Sequence, residues 1–126
     1  MNVTVILNGY KRGNQLNEQL EALNNGTVKP KEILLWYNNP GDDDLINYEI
    51  MGSIPTALCN YNFGVWARFA FAFNAQHEYV CIFDDDTIPG KRWLENCIET
   101  MKTNEGLLGS IGLLYLNPNP PEHSSY

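Results

Sequence analysis

Three consecutive carboxylates, Asp84-Asp85-Asp86, follow directly on the apolar run Tyr79-Val80-Cys81-Ile82-Phe83. Ionised side chains on adjacent residues repel one another, so the arrangement calls for a cation or a hydrogen-bonded setting that takes up the charge. Oxygen donors at the mouth of a fold suit Mg²⁺ or Mn²⁺, ions that keep part of their water and bridge to phosphates. The competing reading is a solvated acidic turn, the usual fate of a charge run. A second triplet, Asp42-Asp43-Asp44, serves as an internal control. It follows Asn38-Asn39-Pro40-Gly41, which is turn chemistry, and reads as a solvent-facing segment that opens a short helical turn before Leu45-Ile46. The first triplet differs in its context: a strand buried on both faces would fix the Cα positions of Asp84 to Asp86, as metal coordination requires.

The elements that must hold this cluster alternate along the chain. Val3-Thr4-Val5-Ile6-Leu7 is a continuous, β-branched run and reads as a buried parallel strand. Arg12-Gly13-Asn14 opens a helix with Leu16, Leu20 and Leu23 on one face and Gly26 as its stop. Ile33 to Tyr37 is a second strand, 42–55 reads mainly as loop, and Thr56 to Cys59 is a short third strand. A helix from about Phe63 to Ala75 places Phe63, Trp66, Ala70 and Phe73 on one apolar face, expected to be core. After Tyr79 to Phe83, Lys91 to Thr103 reads as a helix with Leu94, Ile98 and Met101 inward, and Leu107 to Leu116 can supply a further strand. The tail 117–126, with three prolines and two serines, has little to pack and is expected to be loose.

This order predicts an α/β fold in three layers, α/β/α, with a mainly parallel, Rossmann-like sheet and right-handed crossovers. Ligands of such sheets gather beyond the carboxyl ends of the strands, where strand order reverses. The ends concerned are Asn8 to Arg12 and Asp84 to Asp86. If the first and fourth strands are neighbours, Tyr10, Lys11 and Arg12 face the same crevice as the carboxylates, and a basic residue beside a metal–carboxylate cluster suits a diphosphate ester.

Length and composition narrow the classes further. One domain is expected from 126 residues, with 44% hydrophobic residues to build a core. A net charge of −7 and a pI near 4.6 argue against nucleic acid and anionic membranes, so an anionic ligand calls for a metal bridge. Three cysteines, Cys59, Cys81 and Cys97, lack CxxC spacing, which suits a reduced, cytoplasmic protein. The apolar run at the N-terminus is too short for a signal peptide, and no window reaches membrane-span length. Asn8-Gly9-Tyr10-Lys11-Arg12-Gly13 fits neither GxGxxG nor a P-loop, and no zincin, serine-hydrolase or zinc-finger spacing occurs. His77 and His123 read as surface residues in a turn and a tail. A phosphatase reading from Asp84-Asp85-Asp86-Thr87 matches the DxDxT signature only in part, and on the wrong strand.

Four segments, in order over residues 1–116, resemble the GT-A fold nucleotide-sugar glycosyltransferases of the family 2 and exostosin-like types. Val3 to Arg12 is similar to their first strand and its basic loop. Trp36-Tyr37-Asn38-Asn39 is similar to the Trp-Asn-Asn ending of the second strand in exostosin-type enzymes. Asn62-Phe63-Gly64-Val65-Trp66-Ala67-Arg68 resembles the Asn-x-Gly…Ala-Arg helix start of family 2, and Phe83-Asp84-Asp85-Asp86-Thr87 with Pro89 resembles the DXD segment.

The resemblance implies a donor-binding domain over 1–116 in which Asp86, with Asp84, holds Mn²⁺ or Mg²⁺ on the diphosphate of a nucleotide sugar, a UDP-sugar foremost. It further implies Asp85 toward ribose or sugar hydroxyls, Arg12 and Asn38 or Asn39 by the nucleoside, and Arg68 on the sugar or diphosphate. Asn8, Tyr10 and Asn62 complete the expected nucleotide-sugar site. From the residues alone, Arg68 reads equally as a helix-surface cation and Asn62 as a helix cap. Family members continue into an acceptor-binding half that supplies the general base. The sequence ends before it, so the base and acceptor are unassigned, and a partner chain or oligomer that supplies the acceptor site is one expectation. The alternative reading is a nucleotide-sugar-binding module without turnover.

Overall fold

The computed structural model of the chain describes residues 2–12, 14–38, 41 and 43–109. Its centre is a four-stranded parallel sheet in the order β3-β2-β1-β4, built from β1 (Val3–Gly9), β2 (Glu32–Asn38), β3 (Thr56–Cys59) and β4 (Tyr79–Phe83). β1 is buried along its whole length, which is why it carries no polar alternation. It pairs with β2 on one side (Leu7 opposite Leu35) and β4 on the other (Leu7 opposite Phe83). The chain therefore leaves β1 in one direction for β2 and β3 and returns past it to β4. That reversal makes the gap between the carboxyl ends of β1 and β4 the ligand position expected for open parallel sheets.

Alternation along β1 assigns the two faces. Val3, Val5 and Leu7 join Leu35, Tyr37 and Phe83 in a core closed by Leu16 and Leu23 of α1 (Gln15–Asn24), Ile50 of α2 (Tyr48–Ser53) and Leu94 of α4 (Trp93–Thr103). The other face carries Thr4, Ile6 and Asn8 beside Leu34 and Trp36. There α3 (Ala67–Phe71), flanked by 3-10 turns Gly64–Trp66 and Ala72–Asn74, packs Phe71 against Trp36 with ring centroids 5.4 Å apart. Helices on both faces give the three-layer α/β fold that the sequence predicts.

Four expectations change. Residues 48–53 form α2 rather than loop: the Asn47 side chain accepts from Ile50 N–H at 3.0 Å and caps the helix. The Phe63–Ala75 region is broken into three short helical pieces, and its apolar stripe is not core. Trp66 is 77% and Phe73 94% exposed, because α3 meets the sheet through Phe71 and turns that stripe outward. β4 is not buried on both faces: Val80, the register partner of Thr4, is 41% exposed. Leu107 to Gly109 are not in a strand, and the rest of that run and the tail lie outside the described residues.

At the amino ends of the strands a polar clamp ties the β3–β4 crossover to the sheet. Thr4 Oγ1 donates to Glu32 Oε2 at 2.7 Å, and Gln76 N–H donates to the same oxygen at 3.0 Å. With the hydroxyl proton so committed, His77 Nδ1, 3.0 Å away, must donate to Thr4 Oγ1. His77 is thus half-buried at the end of the sheet opposite the carboxylates, not a free surface residue. The Gln76 N–H, helped by Thr4 and His77 against the opposing effect of burial, holds the Glu32 carboxyl below its ordinary pKa. Thr4→Val, which keeps shape and strand preference, is expected to cost about 1–2 kcal/mol in urea unfolding by removing the acceptor of His77 Nδ1 and one of the two donors to Glu32 Oε2. A depressed carboxyl pKa contributes stability above the unfolded value and loses it as pH falls through the folded one. Glu32→Gln is accordingly expected to flatten part of the acid limb of the unfolding profile.

Candidate functional site

The carboxylate turn leaves the carboxyl end of β4, where Thr87 N–H closes on Asp84 O at 3.1 Å. From the neighbouring end of β1, Arg12 Nη1 donates to Asp86 Oδ2 at 2.5 Å and lies 3.8 Å from Asp85 Oδ1. Arg68 arrives from α3 on the opposite face of the sheet, and its Nη1 pairs with Asp84 Oδ1. Two arginines far apart in sequence thus converge on one acidic turn, each on its own carboxylate. Arg68 is the more enclosed, with its side chain 11% exposed against 52% for Arg12. Burial lowers the Arg68 pKa, and the charges of Asp85 and Asp86 work against that shift. The Arg68 Nε–H is buried without a partner. A helix-surface cation would not be so enclosed, so that reading of Arg68 is set aside.

Beside this ion cluster lies a neutral network that joins three segments. Asn38, at the end of β2, donates through Nδ2 to Asn62 Oδ1 at 2.8 Å and to Gly64 O at 3.3 Å, and accepts from Phe63 N–H at 2.9 Å. Its amide therefore fixes the loop before α3. Asn62 Oδ1 also accepts from Gly64 N–H at 2.8 Å, a side-chain-closed turn rather than a helix cap, and Gly64 takes the φ of +69° that this turn needs. Asn62 Nδ2 reaches Tyr10 Oη at 3.2 Å, and Lys11 Nζ sits 5.1 Å from the centre of the Tyr10 ring. Asn8 is buried at the end of β1, opposite Trp36. Asn39 lies outside the described residues.

The sequence reading missed one residue of the site. Gln19 of α1, fully buried, donates through Nε2 to Asp84 O at 2.7 Å and to Thr87 O at 2.9 Å. The available signal was a polar residue within the apolar face marked by Leu16 and Leu23.

The donor chemistry fits a hard divalent cation. Asp84 and Asp86 present carboxylates 60% and 54% exposed, and Mg²⁺ or Mn²⁺ needs only one or two such groups when phosphates and water complete its shell. An all-protein cage is not formed: among the described residues no group of three His, Cys, Asp or Glu side chains is gathered for a metal. Thiolate chemistry is disfavoured as well, since burial pushes the Cys81 thiol up to about 11.

Parallel sheet, flanking helices and strand order together define an α/β fold with its switch point between β1 and β4. Among solved structures, S. aureus TarS 1-349 superposes with a TM-score of 0.64 at 21% sequence identity, over 81% of this chain and 32% of that one. The same protein in complex with UDP-GlcNAc gives 0.64 at 20% identity (81% and 31%), and in complex with UDP 0.64 at 21% (81% and 32%). The chain thus spans about a third of the length of these structures. No protein-family model matches the sequence, and no curated protein matches it. Among the described residues no helix is long and apolar enough to cross a membrane.

Proposed function

We propose that the chain is the donor-binding part of a metal-dependent glycosyltransferase of the GT-A type. Its ligand is a nucleotide-diphosphate sugar, a UDP-sugar foremost. The observation that carries this reading is the convergence of Arg12 and Arg68 on Asp84 to Asp86 at the switch between β1 and β4. The likeness in fold to structures holding UDP and UDP-GlcNAc supports the choice of nucleotide.

In this reading Asp86 and Asp84 hold Mn²⁺ or Mg²⁺, which supplies positive charge beside the diphosphate. The remaining work falls to the chain's own groups. Arg12 and Arg68 turn from carboxylates to phosphate oxygens and neutralise the charge that grows on the nucleoside diphosphate as the glycosidic bond breaks. Guanidinium groups suit this role because they stay protonated and offer paired donors. Asp85 accepts from ribose or sugar hydroxyls, and the Asn38–Asn62–Tyr10 network shapes the nucleoside side, where Asn8 and Asn39 are the further expected ligands.

Calorimetric titration with UDP tests the reading. Binding is expected only weakly without metal and tightly with Mn²⁺, and Asp86→Ala is expected to weaken the Mn²⁺-supported binding about 10- to 100-fold, the size of one charge-assisted contact. Binding indifferent to Mn²⁺, or untouched by Asp86→Ala, would refute it.

A second reading, a nucleotide-sugar-binding module that depends on a partner chain for the acceptor, is favoured by one observation. The chain spans about a third of the length of the structures on which it superposes. Donor hydrolysis or sugar transfer by the purified chain would exclude this alternative.

A further inference from the structure

Gln19 interrupts an apolar helix face at a cost. It lies between Leu16 and Leu23, fully buried, and its Oε1 has no hydrogen-bond partner. An unsatisfied buried acceptor of this kind costs about 1–3 kcal/mol, which a leucine at the same position would avoid. The compensation lies wholly on Nε2, whose two protons go to Asp84 O and Thr87 O. The orientation of the amide is not arbitrary, because its oxygen in that place would face two carbonyl acceptors. Those carbonyls bracket the acidic turn. Asp84 O accepts from both Gln19 and Thr87 N–H, and Thr87 O is held by Gln19.

One helical turn earlier, Gln15 N–H bonds Arg12 O at 3.1 Å, so the same helix grips the backbone of the arginine that meets Asp86. Helix α1 therefore joins both sides of the crevice through two polar contacts four residues apart. We propose that Gln19 is a positioning residue of the donor site. Through the carbonyls of Asp84 and Thr87 it fixes the carboxylates relative to Arg12 before any ligand arrives. This assignment rests on the donor-site reading above. Its physical content is preorganisation: a turn held in one conformation presents its oxygens at the needed spacing without an ordering cost on binding.

The test uses Gln19→Leu and Gln19→Met. The methionine variant keeps the length and flexibility of the side chain and removes only the amide. Three quantities are measured: UDP affinity with Mn²⁺, UDP affinity without metal, and amide exchange at Thr87 against the amides of β1. The expected result is cooperative unfolding in both variants, Mn²⁺-supported UDP binding about tenfold weaker, and metal-free binding unchanged. Exchange at Thr87 should be about tenfold faster, with β1 protected as in the parent.

Parent-like affinity together with parent-like exchange at Thr87 overturns the assignment. Uniform loss of protection, or failure of both variants to fold, also overturns it and leaves Gln19 a core residue only. If the parent chain itself fails to bind UDP, the donor-site reading falls. Exchange at Thr87 then decides alone whether Gln19 holds the turn.

Discussion

Gly9→Ala is expected to destabilise the chain by about 3 kcal/mol in urea unfolding. A Cβ at Gly9 would stand 2.6 Å from Cε1 and 2.7 Å from Cδ1 of Tyr37, far inside van der Waals contact. The ring has nowhere to go. Tyr37 is fully buried, and its hydroxyl accepts from Asn47 N–H at 2.8 Å, which anchors the start of α2. Shifting the ring combines an overpacking cost of about 1–3 kcal/mol with a strained or broken hydrogen bond of about 1 kcal/mol. Tyr37→Leu in the same chain should relieve the clash, so the double variant is expected to be more stable than the two single losses added together. A Gly9→Ala chain within about 0.5 kcal/mol of the parent would mean that the contact is loose, a level at which substitutions away from tight sites usually fall.

The same residue shows what the sequence could and could not tell. Glycine at the end of a buried strand signals a close approach, but nothing local names Tyr37, which comes beside Gly9 only through the parallel register of β1 and β2. The parallel, alternating architecture was legible because β-branched runs alternate with helical periods and right-handed crossovers leave few arrangements. The adjacency of the first and fourth strands was only a condition; the structure meets it, and Arg12 meets the carboxylates there. The stripe Phe63, Trp66 and Phe73 was misjudged for a different reason. Helical period tells which residues share a face, and only the packed structure tells whether another element covers that face. Gln19 showed in the sequence only as a polar residue within an apolar helix face; its partners are main-chain carbonyls, which leave no mark in side-chain identity, so its role was not legible. Arg68 was legible as a cation, while its enclosure depended on α3 crossing behind β2.

Arg68→Met is expected to move two affinities in opposite directions. In the free chain Arg68 sits on Asp84, within the field of Asp85 and Asp86, so it competes with any metal for those carboxylates. Removing that cation leaves the acidic turn less neutralised, and opposite charge is then taken up more readily. Mn²⁺ alone should bind several-fold tighter to Arg68→Met, up to about tenfold, a 1.4 kcal/mol change. UDP in the presence of Mn²⁺ should bind about 10- to 100-fold weaker, because a charge-assisted contact to the diphosphate is lost. Arg68→Lys separates charge from shape. A lysine keeps the competition for Asp84, so Mn²⁺ affinity should stay near the parent value, but it lacks the guanidinium fork and should recover UDP binding only in part. Mn²⁺ titration followed by electron paramagnetic resonance, with UDP calorimetry on the same samples, reads both affinities. A fall in both would assign Arg68 to holding the fold, and no change in either would remove it from the donor site and leave it an enclosed ion-pair partner of Asp84. The opposed shifts arise only if one guanidinium balances the carboxylates when the site is empty and the diphosphate when it is filled.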